Sequence, residues 1–151
     1  MIRSLLALVI VAIAAGVVSA QSDPVAARRE LMKGNGQHAY ATLNRMVRGQ
    51  MPYDQTKVDA AFANFIDASK KIPPLFPAGS YTGPTADDDY YAAQKIWENK
   101  ADFEARAAKL GQAAQENRGK VKDLDSLKEI WPAMNKGACD GCHELYRPKK
   151  A

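Results

Sequence analysis

The stretch GACDGCHELYRPKK (residues 137–150) holds both cysteines of the chain, Cys139 and Cys142, and places His143, one of only two histidines, directly after the second. A disulfide between residues three apart would close a very small loop and leave His143 without a role. A thioredoxin-type redox pair needs a strand–helix setting. A zinc site needs about four ligands, and the remaining histidine, His38, lies far upstream. C-x-x-C-H is instead the pattern of covalent haem attachment. On a helix, positions i, i+3 and i+4 share one face within about one turn. Two thiols so placed can each add to a haem vinyl group, and the adjacent imidazole then reaches the iron. Asp140 and Gly141, the two intervening residues, are small enough to clear the ring. Cys139 and Cys142 are therefore expected to attach one covalent haem c, with His143 as an axial ligand of its iron.

At the other end of the chain, MIRSLLALVIVAIAAGVVSA (residues 1–20) starts with Arg3, runs apolar from Leu5 to Val18 and ends in small residues. That is the layout of an export signal cleaved before Gln21. The apolar run is short for a membrane span, and no basic stop-transfer flank follows it. The expected domain is residues 21–151, soluble and periplasmic, in a compartment where cysteines meet oxidising conditions. Removing the one basic residue of the signal takes the formal charge from +4 to +3. That balance is too weak, and the basic residues too scattered, to indicate nucleic acid.

Between these ends the apolar spacing is helical and strand-like alternation is nearly absent. A first helix is expected from the Asp23-Pro24 cap, carrying Val25, Met32, Ala39, Leu43, Met46 and Val47 to a stop at Gly49–Pro52. A second follows Asp54, with Val58, Ala61, Phe62, Phe65, Ile66 and Ile72 on its apolar face. IPPLFPAGSYTGP (residues 72–84) has four prolines and two glycines and reads as a long crossing loop. A third helix carries Ile96, Trp97, Phe103, Ala107, Leu110 and Ala114 and ends at Gly119. The fourth opens near Asp123 or Asp125, runs past Leu127, Ile130, Met134 and Ala138, and contains the attachment motif. Pro132 should bend it or begin a fresh helix. The fold class is all-α, an antiparallel four-helix bundle around covalently bound haem c.

The second axial position decides the function: methionine, a second histidine, or nothing. In an antiparallel bundle the last turns of the fourth helix lie level with the first turns of the first. Met32 is the methionine at that level. Met46 is about 20 Å further along the axis, Met51 falls in a turn, and Met134 shares the helix of the cysteines. On spacing alone Met32 is a ligand or a flexible core filler, and Leu31 beside it is the alternative cover for an open face. His38 lies off the face of Met32 and reads as a surface residue.

The exported chain, its four helices, a C-x-x-C-H motif in the last of them and Tyr146-Arg147 soon after together resemble the cytochrome c-prime family, the class II cytochromes c. The resemblance spans the mature chain. RRELMKGNGQ (28–37) and GQMPYDQTKVDAAF (49–62) are most similar to the low-spin branch of that family, in which a methionine of the first helix binds the iron. That implies Met32 as the second axial ligand. The resemblance also implies an ion pair between Arg28 and a haem propionate, and an Arg147 that shields the proximal histidine. Without it, Arg28 is a solvated charge near a helix start and Arg147 a cation complementing a helix C-terminus. Where relatives carry Arg-Gln this chain has Arg28-Arg29, so the glutamine's role does not carry over.

Taken together, these features imply a periplasmic single-electron carrier with a low-spin Met/His iron, and no enzyme. The alternative is a five-coordinate high-spin protein that binds nitric oxide or carbon monoxide at an open distal face. The expected partners are redox proteins of the periplasm or of a membrane respiratory chain, with Lys136, Arg147, Lys149 and Lys150 placed to steer an acidic one. Relatives in this family are often dimers, which makes a homodimer the expected assembly if one forms.

Overall fold

The computed structural model describes residues 23–85 and 89–150, which leaves the expected export signal and its cleavage before Gln21 outside the described residues. Among the described residues, four long helices make up the fold. The first, α1 (24–47), is α-helical over Pro24–Gly34, π-helical over Asn35–Tyr40 and α-helical again over Ala41–Val47. Asp23 caps it, its carboxylate accepting from the Val25 N–H at 2.9 Å, with Pro24 in the first turn. It ends on Gly49, whose φ of 70° lets the Gly49 N–H reach the Met46 carbonyl and the Gln50 N–H the Arg45 carbonyl. This left-handed stop needs a residue without Cβ.

Helix α2 is Gln55–Lys71, capped by Asp54, which accepts from the Lys57 N–H at 3.0 Å. Helix α3 is Lys100–Arg118. Helix α4 (124–146) opens with a reciprocal Asp123–Ser126 capping box and, like α1, contains a π segment, Asn135–Asp140, between Leu124–Met134 and Gly141–Tyr146.

Two expectations change in the structure. The third helix is not continuous through Ile96 and Trp97. These lie in a separate turn, Lys95–Glu98, broken from α3 at Asn99 (φ −122°, ψ 50°). The turn is tied to the loop and to the end of α4: the Trp97 Nε1–H donates to the Pro77 carbonyl at 2.8 Å, and the Ala93 N–H just before it to the Tyr146 carbonyl at 3.0 Å. Of the bend or fresh start expected at Pro132, the fresh start does not occur. Pro132 stays inside Leu124–Met134, and the change of register follows three residues later as the π segment.

Neighbouring helices run antiparallel. The C-terminal half of α1 packs against the start of α4, and the start of α3 against the end of α4, while α2 lies against both α1 and α3. Trp131 sits at the junction of α1, α2 and α4. Its ring stacks on Phe65 at 5.6 Å and 9°, and its Nε1–H reaches Asn44 Oδ1 at 3.3 Å. Leu43, Met46, Val58, Phe62, Leu127 and Trp131 are almost wholly buried around that point. The α2–α3 seam is closer still. A Cβ on Gly111 would stand 2.2 Å from Ser69 Oγ and 2.9 Å from Ser69 Cβ. Among the described residues no helix is long and apolar enough to cross a membrane.

The crossing loop is firmly attached to the helices. Phe76 is buried, Lys100 donates to the Pro73 and Phe76 carbonyls, and the chain end pairs with residues 89–93. That pairing comprises Tyr91 N–H to the Pro148 carbonyl, Ala93 N–H to Tyr146, and Lys150 N–H to Asp89. The loop and the tail together cover the end of the bundle that carries the attachment motif.

Candidate functional site

At that end the bundle opens around a cavity of about 850 Å³. Protein interiors contain few voids larger than a water molecule. Fully enclosed and empty, a space of that size would cost about 20 kcal/mol, more than the whole stability of an ordinary domain. The cavity is partly open to solvent, so the real cost is smaller, but its walls are mainly apolar. Phe65, Phe76, Ile96, Phe103 and Leu110 are all buried and all line it. The bundle is therefore built around a large, mostly apolar group.

Every site residue expected from the sequence lines this one cavity: Cys139, Cys142, His143, Met32 and Arg28. The π segments bring two of the walls. Asn35, Gly36 and Tyr40 come from the segment in α1, and Ala138, Cys139 and Asp140 from that in α4. Single π turns inside α-helices are frequent at functional sites. A Cβ added at Gly34 or Gly36 would meet nothing within 4 Å, so these glycines do not serve close approach of a neighbouring helix.

Cys139 and Cys142 are free thiols. Burial pushes the Cys139 thiol up to about 12, helped by Asp140, and raises that of Cys142 in the same way. Both sulfurs are held neutral, as a thioether sulfur also is. Burial likewise lowers the His143 imidazole from its ordinary value, which favours the neutral form that binds metals. Of the described methionines only Met32 lines the cavity; Met46 and Met134 are buried in the core, and Leu31 lies outside the lining. His38 is exposed and takes no part in it. Two neutral thiols, an imidazole and a thioether facing one apolar cavity form a donor set that fits haem c.

Arg28 is buried, and four hydrogen bonds engage most of its five N–H donors. Nε donates to the Leu75 carbonyl at 2.6 Å, both terminal nitrogens reach the Ser80 carbonyl at 3.2 Å, and one also meets Ser80 Oγ. Its guanidinium lies 4.3 Å from the centre of Phe76 and 5.2 Å from that of Trp97. Arg28 thus ties the start of α1 to the crossing loop at the cavity edge. Arg147 rests on the ring of Tyr90 at 4.1 Å, above the same edge.

The sequence reading missed a polar pair on α3, of which Arg106 lines the cavity. Arg106 Nη1 donates to the Gly141 carbonyl, inside the C-x-x-C-H motif, at 2.7 Å. Arg106 Nε and the Tyr146 hydroxyl both donate to Asp102 Oδ2, at 2.7 and 2.6 Å. The spacing of Asp102 and Arg106 signals a helical ion pair, but nothing local to α3 reveals that its target is on α4.

Comparison with known proteins gives a consistent result. The family description Cytochrome C' matches residues 23–147. The chain is 35% identical to cytochrome c-556 of Rhodopseudomonas palustris over 150 residues, 99% of either chain. It is 39% identical to a cytochrome c' of the same organism over 142 residues, 94% of this chain and 93% of that one. The solved structure of cytochrome c' from Rhodopseudomonas palustris superposes with a TM-score of 0.77, covering 87% of this chain and 100% of that chain at 39% identity.

Proposed function

The chain belongs to the cytochrome c' family, a family of c-type cytochromes with one covalently attached haem c, and from that premise we propose that it is a periplasmic single-electron carrier whose iron is held between His143 and Met32. On this reading residues 1–20 are a cleaved export signal and residues 21–151 the cytochrome domain. Cys139 and Cys142 would hold the group through thioethers. Bound there, haem c supplies reversible one-electron exchange at its iron.

The observation that carries the choice of ligand is the presence of Met32 in the wall of the cavity that Cys139, Cys142 and His143 also line. A thioether ligand favours the reduced iron and raises the potential relative to two histidines. The protein's own residues supply the rest. Phe65, Phe103 and Leu110 exclude water, and the packed bundle keeps the donors nearly fixed between redox states. Arg28, engaged by the loop, would act on a propionate from the cavity edge. No catalytic base is needed, so the proposed role is transfer and not catalysis. The partners are redox proteins of the periplasm or of a membrane respiratory chain, approached by the basic chain end.

Visible absorption of the purified mature protein tests this. The expected result is a low-spin spectrum with the weak methionine–iron charge-transfer band in the oxidised form, converted to high-spin by Met32→Ala. A wild-type spectrum already high-spin would replace the electron-carrier reading with binding of nitric oxide or carbon monoxide at an open face.

A further inference from the structure

Asp102 belongs to α3, away from the attachment motif in sequence, and yet is linked to α4 at two points, one inside the motif and one just after it. Its Oδ2 accepts the Tyr146 hydroxyl at 2.6 Å and Arg106 Nε at 2.7 Å. Arg106 carries the restraint on to the Gly141 carbonyl at 2.7 Å. Gly141 precedes Cys142-His143 by one residue, and Tyr146 follows His143 by three. One carboxylate oxygen therefore fixes both ends of the short segment that presents the second cysteine and the histidine.

The restraint is needed at this place. The preceding six residues, Asn135–Asp140, are π-helical, a wider and less favourable turn than the α-helix it interrupts. Gly141 itself contributes no side chain to packing. The segment Gly141–Tyr146 is only six residues, too short to hold its own geometry, and its one buried anchor is Tyr146. The ring of Tyr146 packs edge-on against Phe103 at 5.4 Å, which brings its hydroxyl to Asp102 one helical position away. Both charged members keep some solvent contact, at 50% exposure for Asp102 and 32% for Arg106. The pair is therefore not a buried ion pair whose desolvation outweighs its attraction.

We propose that Asp102 is a positioning residue for the haem-attachment turn, acting through Arg106 on the Gly141 carbonyl and through Tyr146 on the end of α4, and that it thereby sets the orientation of the His143 imidazole. The inference rests on the assignment of Cys139, Cys142 and His143 to haem c, and it is independent of which ligand, if any, occupies the opposite side of the iron. Arg106→Gln removes the grip on Gly141. Tyr146→Phe removes one hydroxyl and keeps the ring against Phe103. Asp102→Ala removes both ends.

The test uses the mature holoprotein of each variant, with three readouts: electron paramagnetic resonance of the oxidised iron, the reduction potential, and amide hydrogen exchange over residues 141–146. The expected result is a changed g-anisotropy and a shifted potential in Asp102→Ala and Arg106→Gln. Exchange over 141–146 should be at least tenfold faster, with a smaller change in Tyr146→Phe and partial recovery in Arg106→Lys. Native resonance and potential in Arg106→Gln and Tyr146→Phe would overturn the proposal even if their melting temperatures fell, since a merely structural contact lowers stability without moving the iron. Should Asp102→Ala fail to accumulate, those two variants decide alone. A wild-type protein without covalent haem would instead overturn the underlying assignment, which separates the two failures.

Discussion

Arg28 shows how one side chain can serve the fold and the site together. Burial lowers its affinity for the proton, an effect partly offset by Asp23, but a guanidinium stays charged throughout the accessible range. Its fork fits two carbonyls of the crossing loop while its plane stacks on Phe76. Replacing it with alanine strands the Leu75 and Ser80 carbonyls next to an apolar wall. Arg28→Ala should therefore destabilise the protein by about 2–4 kcal/mol, read as a lower urea midpoint at unchanged slope. Arg28→Lys should recover only part of that loss, because an ammonium cannot reach both carbonyls in the same plane. A midpoint unchanged in Arg28→Ala would mean that the loop is held by its other contacts, Lys100 and Trp97.

At the scale of the elements, α2 and α3 approach each other tightly where Gly111 faces Ser69. Alanine is the better helix former by about 1 kcal/mol, so propensity alone predicts that Gly111→Ala stabilises. The contact predicts the opposite. The new methyl would meet Ser69 Cβ, an atom fixed to the backbone, as well as the mobile Oγ, and the helices would have to part. A net loss of about 1–2 kcal/mol is expected, with Ser69→Gly in the same chain recovering much of it in a double-mutant cycle. Additive losses would show that the two residues do not constrain each other. The helix ends follow simpler rules. Asp23, Asp54 and Asp123 each sit at a cap and accept a nearby backbone N–H, and all three caps are legible as an acidic residue before an apolar period. The break at Asn99 is not legible in this way, because Trp97 and Ala93 are bonded to Pro77 and Tyr146, residues distant in sequence.

Two predictions concern the molecule as a whole. The first follows from the carboxylates. Hydrogen bonds from Lys57, Arg106 and Ser126 hold Asp54, Asp102 and Asp123 below their ordinary value of 3.8. A group depressed in the folded state stabilises it above the unfolded value and loses that contribution as the pH falls through the folded value. The urea midpoint should therefore be level near neutrality and decline below about pH 4. Asn substitutions at the three positions should flatten that decline, and an unaltered slope would show that other carboxylates govern it. The second follows from the cavity. A chain with Cys139→Ser and Cys142→Ser, lacking the attached group, should keep much of its far-ultraviolet helix signal. It should lose near-ultraviolet structure and bind a hydrophobic dye, because the walls of an 850 Å³ space have no partner. Sharp, cooperative melting of that variant would show that the bundle closes without its cofactor.

The sequence by itself determined the attachment chemistry, the helical class and most helix ends. Each of these depends on residues within about one turn of each other, where i, i+3 and i+4 spacing already states the geometry. Antiparallel order also put Met32 at the level of the attachment motif, as a ligand or a core filler, and the family resemblance added Arg28 and the choice of Met32 as ligand. Only the tertiary structure decided what Arg28 and Arg106 grip, how the chain end pairs with residues 89–93, and that the α2–α3 seam leaves no room beyond Gly111. Those contacts join segments far apart in the chain, and most end on backbone carbonyls. A carbonyl is present at every residue, so no pattern of side chains marks in advance the ones that will be bound.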